Sequence, residues 1–229
     1  MFKKLLWLLV TPAFLCLQSC IELHEEITWR SDGSGTYALF VDLSASKQII
    51  EAHQSVTDSS RSEKDFLVLV DSSFAQAVQE LNSMVGVSDA KRIQDRENFI
   101  SGLVFSFAST QTLNRVLQTM SEVDSTSTQE SIFFSYQNKT CTRLNSSYIQ
   151  NLTQGVFRIH QEDAEQEEEY KNLIFKNASF VSIQKAGKGV KILSADNAKK
   201  LDKNSFEWRL SLIEAAQRPN ALLGEWRIK

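Results

Sequence analysis

Side chains alternate between the two sides of an extended chain along Glu22 to Arg30 (ELHEEITWR), where Leu23, Glu25, Ile27 and Trp29 share one side. They do so again along Thr36 to Leu43 (TYALFVDL), where Tyr37, Leu39, Val41 and Leu43 share a side. A period of two is the signature of a strand with one largely apolar face. Between the runs lies Ser31-Asp32-Gly33-Ser34-Gly35, and Asp-Gly is a strong hairpin signal. The pair predicts an antiparallel hairpin that needs a cover on one face.

The remaining elements supply candidates for that cover. Ser44 is placed to cap a helix carrying Ile49, Ile50 and His53. Gln54 to Lys64 is polar and Ser-rich and reads as a loop. Phe66 to Val70 is a short apolar run whose periodicity does not separate helix from strand. Asp71 to Val85, with Ser72 at its start, repeats Phe74, Val78, Leu81 and Val85 at helical spacing and stops at Gly86. Val87 to Gln94 and Phe99 to Ala108 read as a hairpin about residues 95–98, with Gly102 a candidate bulge. Ser109 caps a helix carrying Leu113, Val116, Leu117 and Met120, and Ser131 to Tyr136 follows as a strand. From Thr36 to Tyr136 the order is β-α-β-β-α-β, that of a ferredoxin-like plait. Beyond it, Cys141 to His160 reads as strand-rich and Asp163 to Lys176 as a helix. Ser179 to Gln184 and Gly189 to Leu193 read as a hairpin about Gly187-Lys188-Gly189. Phe206 to Ile213 alternates strongly, and Leu222 to Ile228 can close the sheet. The expected class is α+β: a mixed, mostly antiparallel sheet with helices on one face, a plait-like part over 36–136 and a strand-rich extension over 137–229.

Composition narrows the function classes. The chain has 229 residues, 42% hydrophobic and 23% charged, as in ordinary folded proteins. A net charge of −3 argues against nucleic acid as the main partner, since phosphate binding needs a Lys/Arg excess. Three Cys and three scattered His exclude a disulfide-dense scaffold and a His-rich metal tract.

The first twenty residues carry an address. Lys3 and Lys4 form a positive n-region, and Leu5 to Leu17 is an apolar stretch of signal-peptide length, shorter than the roughly 20 residues a comfortable membrane span needs. Leu17-Gln18-Ser19-Cys20 follows and resembles the lipobox of bacterial lipoproteins. The resemblance implies cleavage after Ser19, a mature chain of residues 20–229, and acyl chains on Cys20, which hold a protein to a bilayer far more firmly than one chain can. Residue 21 is Ile rather than the Asp that favours inner-membrane retention in enterobacterial lipoproteins, so the resemblance points to the outer membrane. Processing removes Lys3 and Lys4, leaving 23 basic against 28 acidic residues, a charge of −5. It also leaves Cys141 as the only free thiol, with no His beside it to activate it.

Catalytic patterns are incomplete. His24, His53 and His160 stand apart, without His-Glu-x-x-His or Cys-x-x-Cys, so neither a metal site nor a cofactor is expected. His24-Glu25-Glu26 reads as surface polars of a strand. Asp32-Gly33-Ser34-Gly35 lacks the twelfth-position Glu of a calcium loop, and Gly187-Lys188-Gly189 lacks a phosphate-loop signature. Ser44 to Lys47 and Ser182 to Lys185 spell S-x-x-K without the elements that complete such a site. The acidic run Glu162 to Glu169 reads as a solvated helix start.

The order of acylated Cys20, alternating strand, D-G-S-G hairpin, second strand and Ser44, with Trp-containing strands over Phe206 to Ile228, resembles LppM-type envelope lipoprotein domains. That resemblance implies a mixed α/β envelope module and transfers no catalytic residue. The expected role is binding or structural, toward another envelope protein, a lipid or a glycan. The competing reading is a hydrolase of envelope polymers whose site forms only in the folded chain.

Overall fold

The computed structural model describes residues 21–47, 63–121, 131–150, 152, 177–218 and 220–229. The targeting segment, Cys20, His53, His160, the acidic run and the helix expected over Asp163 to Lys176 fall outside the described residues.

The expected hairpin forms. Strands β1 (Glu22–Trp29) and β2 (Gly35–Asp42) pair antiparallel over their full length, with Glu22 opposite Asp42 and Trp29 opposite Gly35. Asp32 organises the turn: its Oδ1 accepts the Ser34 N–H at 3.0 Å and the Ser34 hydroxyl at 2.6 Å. Gly33 has φ 84°, where a side chain is strained, and a Cβ there would stand 2.5 Å from the Tyr136 ring.

The hairpin lies in the middle of a seven-stranded sheet ordered β3-β4-β2-β1-β7-β10-β9. Its other strands are β3 (Val87–Asp95), β4 (Ile100–Phe107), β7 (Ser179–Ala186), β9 (Lys199–Lys200) and β10 (Ser205–Ser211). Among the described strands, only β1 with β7 pairs in parallel. A second, antiparallel sheet is ordered β5-β6-β11-β8, built from β5 (Phe134–Gln137), β6 (Thr140–Arg143), β8 (Val190–Ala195) and β11 (Gly224–Ile228). The helices α1 (Glu63–Ser83), α2 (Thr110–Ser121) and α3 (Leu212–Gln217) complete the α+β class.

One face of the large sheet is buried. Leu23, Ile27 and Trp29 of β1, Tyr37 and Leu39 of β2, Leu103 and Phe105 of β4, and Phe206 and Trp208 of β10 all point into the core. Helices α1 and α2 cover the β4–β2 part of this face. The second sheet covers the rest. Trp226 of β11 meets Trp29, Phe206 and Trp208 edge-on at centroid distances of 6.3, 5.4 and 6.0 Å. Such aromatic pairs contribute roughly 0.5–1.5 kcal/mol each beyond their burial. The opposite face carries ion pairs, Arg209 to Glu22 and Lys185 to Glu26, both at 2.5 Å.

The plait order holds for its first three strands only. β2 and β3 run parallel with β4 inserted between them, joined through α1, as a split β-α-β requires. The position for a fourth strand beside β2 is taken by β1, which the Asp-Gly turn delivers in full register. The strand expected at Ser131 to Tyr136 forms from Phe134 and joins the second sheet, where Phe134 lies 5.7 Å from the Trp29 ring. The hairpin expected about Gly187-Lys188-Gly189 is instead a corner between sheets. Both edges of β7 are occupied, by β1 and β10, so β8 cannot pair with it, and Gly189 turns the chain at φ 117°.

Several boundaries move. α1 begins at Glu63, so Phe66 to Val70 is helical and Ser72 lies inside the helix rather than at its cap; Glu63 and Lys64, expected in the loop over Gln54 to Lys64, are helical, and the rest of that loop lies outside the described residues. α1 ends at Ser83, leaving Val85 in the following turn and 80% exposed rather than on an apolar helix face. Ser44 opens a 3-10 turn (Ser44–Ser46) without a side-chain cap, its own N–H going to Asp42 Oδ1 at 2.8 Å, and the rest of the expected helix, with Ile49, Ile50 and His53, lies outside the described residues. The register break of the β3–β4 pair falls between Ser88 and Lys91, beside Asp89 at φ 54°, not at Gly102. Gly102 stays opposite Phe40, where a Cβ would meet the Leu39 carbonyl at 2.3 Å. Phe99 sits in the turn at φ 54°, not in β4. Ser109 does cap α2, its Oγ accepting the Thr112 N–H at 3.2 Å. The strand expected to reach Ile213 stops at Ser211, whose Oγ accepts the Glu214 N–H at 3.1 Å and starts α3.

Candidate functional site

The densest polar chemistry among the described residues is sealed between the two sheets. Glu25 points inward from β1 and is fully buried. Its Oε2 accepts Arg143 Nη2 at 2.5 Å and the Ser182 hydroxyl at 2.6 Å. Its Oε1 accepts the Tyr148 hydroxyl and, at 3.3 Å, the Tyr37 hydroxyl. Four donors converge on two oxygens, the pattern a carboxylate accepts.

Arg143, the last residue of β6, is buried as completely. Besides Glu25, it donates to the Tyr148 hydroxyl and, through Nη1, to Ser182 Oγ at 2.9 Å. Its Cζ lies 4.9 Å from the Phe134 ring centroid and 5.8 Å from those of Tyr148 and Trp208. Arg143 Nε is left without a partner. The network runs on through Ser182, which accepts Gln184 Nε2 at 3.2 Å, and ends where Gln184 Oε1 accepts Trp29 Nε1 at 2.9 Å.

Burial sets the electrostatics. It pushes the Tyr37 and Tyr148 hydroxyls well above their ordinary range, and the Glu25 charge adds to this. Burial alone would lower the Arg143 guanidinium, but the Glu25 carboxylate outweighs it and holds the side chain charged. The Cys141 thiol, two residues earlier on β6, is also pushed up by burial. This thiol is free and buried. Every member of the network is buried, and it ties β1 and β7 of one sheet to β6 of the other.

Among the described residues, an accessible groove of about 220 Å³ lies between α1 and α2. Leu39 and Leu103 form its floor, Phe74 and Leu81 of α1 and Val116 and Met120 of α2 form its walls, and Glu80 and Thr119 are polar members. Ligand pockets usually exceed about 300 Å³, so this groove suits a few apolar side chains or a short hydrocarbon segment.

The residues singled out from the sequence do not assemble. His24 lies on the outer sheet face, stacked on Phe40 at 4.8 Å, with Nε2 2.8 Å from Glu22 Oε2. Glu26 is on that face too, but Glu25 is not the surface polar that His24-Glu25-Glu26 suggested. Ser182 and Lys185 are three apart on a strand and therefore point to opposite faces, Ser182 to Glu25 and Lys185 to Glu26. Lys47 Nζ donates to the Glu97 carbonyl at 2.8 Å. Asp32 serves its own turn, and no group of three His, Cys, Asp or Glu among the described residues is arranged to hold a metal. Cys20 lies outside the described residues. Sequence reasoning missed Arg143 and Tyr148, and it named Glu25 and Ser182 without joining them. The signal for Glu25 was its inward position in the alternation, between Leu23 and Ile27.

No helix among the described residues is long and apolar enough to cross a membrane. No protein-family model and no curated protein matches the chain. Among solved structures it is similar to the NMR structure of the folded domain of LppM from Mycobacterium tuberculosis, at 8% identity and a TM-score of 0.38 over 91% of this chain and 90% of that one, a likeness too slight to carry an argument.

Proposed function

We propose that the chain is a bacterial lipoprotein, acylated at Cys20, whose α+β body serves a non-catalytic binding or structural role on the periplasmic side of the outer membrane. The observation that carries this reading is the lipobox-like Leu17-Gln18-Ser19-Cys20 in sequence directly before the first strand, with Ile21 the first described residue. The disposition of polar groups supports the non-catalytic part. Glu25 and Arg143 are sealed in the core, and Glu80 is the single titratable side chain among the described residues lining the groove. A hydrolase needs two such groups converging in an accessible cleft. The apolar lining of the groove favours an envelope protein or a lipid over a glycan as partner, because it offers hydroxyl groups few hydrogen-bonding positions.

Membrane fractionation tests the reading. The wild-type protein is expected with outer membranes, and Cys20→Ala is expected to leave that fraction. A Cys20→Ala protein that remains with outer membranes as fully as wild type contradicts the anchor.

A further inference from the structure

We infer that the protein stands on one end of its large sheet: the end at which β1 begins rests on the bilayer surface, and Ile213 of α3 meets the headgroup layer. This rests on the acylation of Cys20 proposed above.

The first observation is the absence of slack between Cys20 and the fold. Ile21 is 7% exposed, and its carbonyl accepts the Ser179 N–H at 2.8 Å, so it is already part of the sheet. Consecutive residues span at most about 3.6 Å each, which leaves the Cys20 α-carbon within about 7 Å of Glu22. The interfacial layer on each side of a bilayer is about 5–8 Å thick. The Cys20 side chain and its glyceryl linkage lengthen the tether only by a few more bonds, so the end of the sheet that holds Ile21 stays beside the headgroups.

The strand register identifies what else lies at that end. Glu22 is opposite Asp42 and Ser179, Asp42 is opposite Ile100, and Ser179 is opposite Ser211. The loops that close these strands are therefore neighbours. Leu43 N–H donates to Phe99 O at 3.1 Å and Lys47 Nζ donates to Glu97 O, joining the 3-10 turn to the β3–β4 turn. Leu212 N–H donates to Ala178 O at 2.8 Å, which sets α3 beside Ile21. At this end Ala45, Arg96 and Asn98 are exposed. So is Ile213, at 42%, although Leu212 next to it is buried. An apolar side chain turned outward beside a lipid tether is suited to partition into an interface.

The other end carries a competing attraction. Trp29 lies about 23 Å along β1 from Glu22 at the usual strand rise. The Asp32-Gly33 turn, the Asn138-Lys139 turn and the Gly187-Lys188 corner gather there, joined by Tyr136 Oη to Ser31 O at 2.5 Å and Val190 N to Lys203 O at 3.0 Å. Lys139, Lys188 and Lys203 are exposed there and would be drawn to anionic lipid. The β1 end mixes both signs, with Lys47 and Arg96 beside Asp42, Asp95 and Glu97, so its position follows from the tether and not from charge.

Single-cysteine labelling decides which end faces the bilayer. Acylated Cys20 has no thiol and Cys141 is buried, so an introduced cysteine is the one that reacts in the folded protein. The full lipidated chain carrying Ile213→Cys, Ala45→Cys or Gly187→Cys, each with a fluorophore, is reconstituted into vesicles of phosphatidylethanolamine and phosphatidylglycerol containing a headgroup-nitroxide lipid. Gly187 has open space about its Cβ position, so its substitution leaves the fold intact. Quenching several-fold stronger at positions 213 and 45 than at 187 is the expected result. Equal quenching at all three, or the strongest at 187, overturns the orientation while leaving the anchor standing. A chain that fails to remain with vesicles because Cys20 carries no lipid overturns both.

Discussion

Glu25 and Arg143 form a fully buried charge pair, held by Tyr148, Ser182 and Tyr37. Removing one partner of such a pair strands the other, at a cost of about 3–5 kcal/mol, whereas replacing both with apolar side chains of similar volume is close to neutral. Arg143→Met is therefore expected to lower the urea midpoint sharply, and Glu25→Leu with Arg143→Met to recover most of the loss. Losses that simply add would show that the two do not act as a pair. The same residues set the response to alkali. Tyr37 and Tyr148 are raised above 10.0 by burial, and Cys141 above 9.0. Above those ordinary values the unfolded chain has released protons that the folded chain still holds. Stability is thus full at lower pH and falls as pH rises, by about 1.4 kcal/mol per pH unit for each group. Equilibrium unfolding across that range should steepen accordingly, and Tyr148→Phe should flatten the slope by one group's share. Glu25 was legible as an inward position of β1, but its partner lies 118 residues away, and no local pattern names it.

At the scale of elements, turns and clamps decide which strands pair. Gly33→Ala meets both a left-handed backbone and the Tyr136 ring, so a loss of about 1–3 kcal/mol is expected by chemical denaturation, while Gly187→Ala, in open space, should stay near wild type. Asn114 of α2 holds the start of β5: its Oδ1 accepts Phe133 N–H at 3.2 Å and Phe134 N–H at 2.9 Å, and its Nδ2 donates to Phe134 O at 2.9 Å. Asn114→Ala leaves these main-chain groups unpaired, so a loss of roughly 1–3 kcal/mol is expected, with faster hydrogen exchange at Phe133 and Phe134 than elsewhere in the second sheet. β1, β2, β4 and β10 were legible because alternation is a local property and each buries one face. The Ser109 cap and the Asp-Gly turn were legible for the same reason. The assignment of β5 and β8 to a second sheet was not, because it depends on which ladder edges are already occupied. The N-terminal extension of α1 was missed because Phe66 to Val70 is too short for its period to show.

Across the whole molecule, one face of the large sheet is covered by two kinds of layer, helices over β4 and β2 and a second sheet over β1, β7 and β10. The Leu17-Gln18-Ser19-Cys20 motif behind the proposed anchor is contiguous and is read before folding. The absence of a linker behind it emerged only from Ile21 being locked into the sheet. In the proposed reading, membrane attachment and orientation both rest on one covalent bond, at Cys20. Intact mass spectrometry of the protein extracted from membranes tests it most directly. The account predicts a chain beginning at Cys20 and heavier than residues 20–229 by a diacylglyceryl group, with or without a further acyl chain. A chain with an unmodified Cys20, or one starting at another residue, contradicts it.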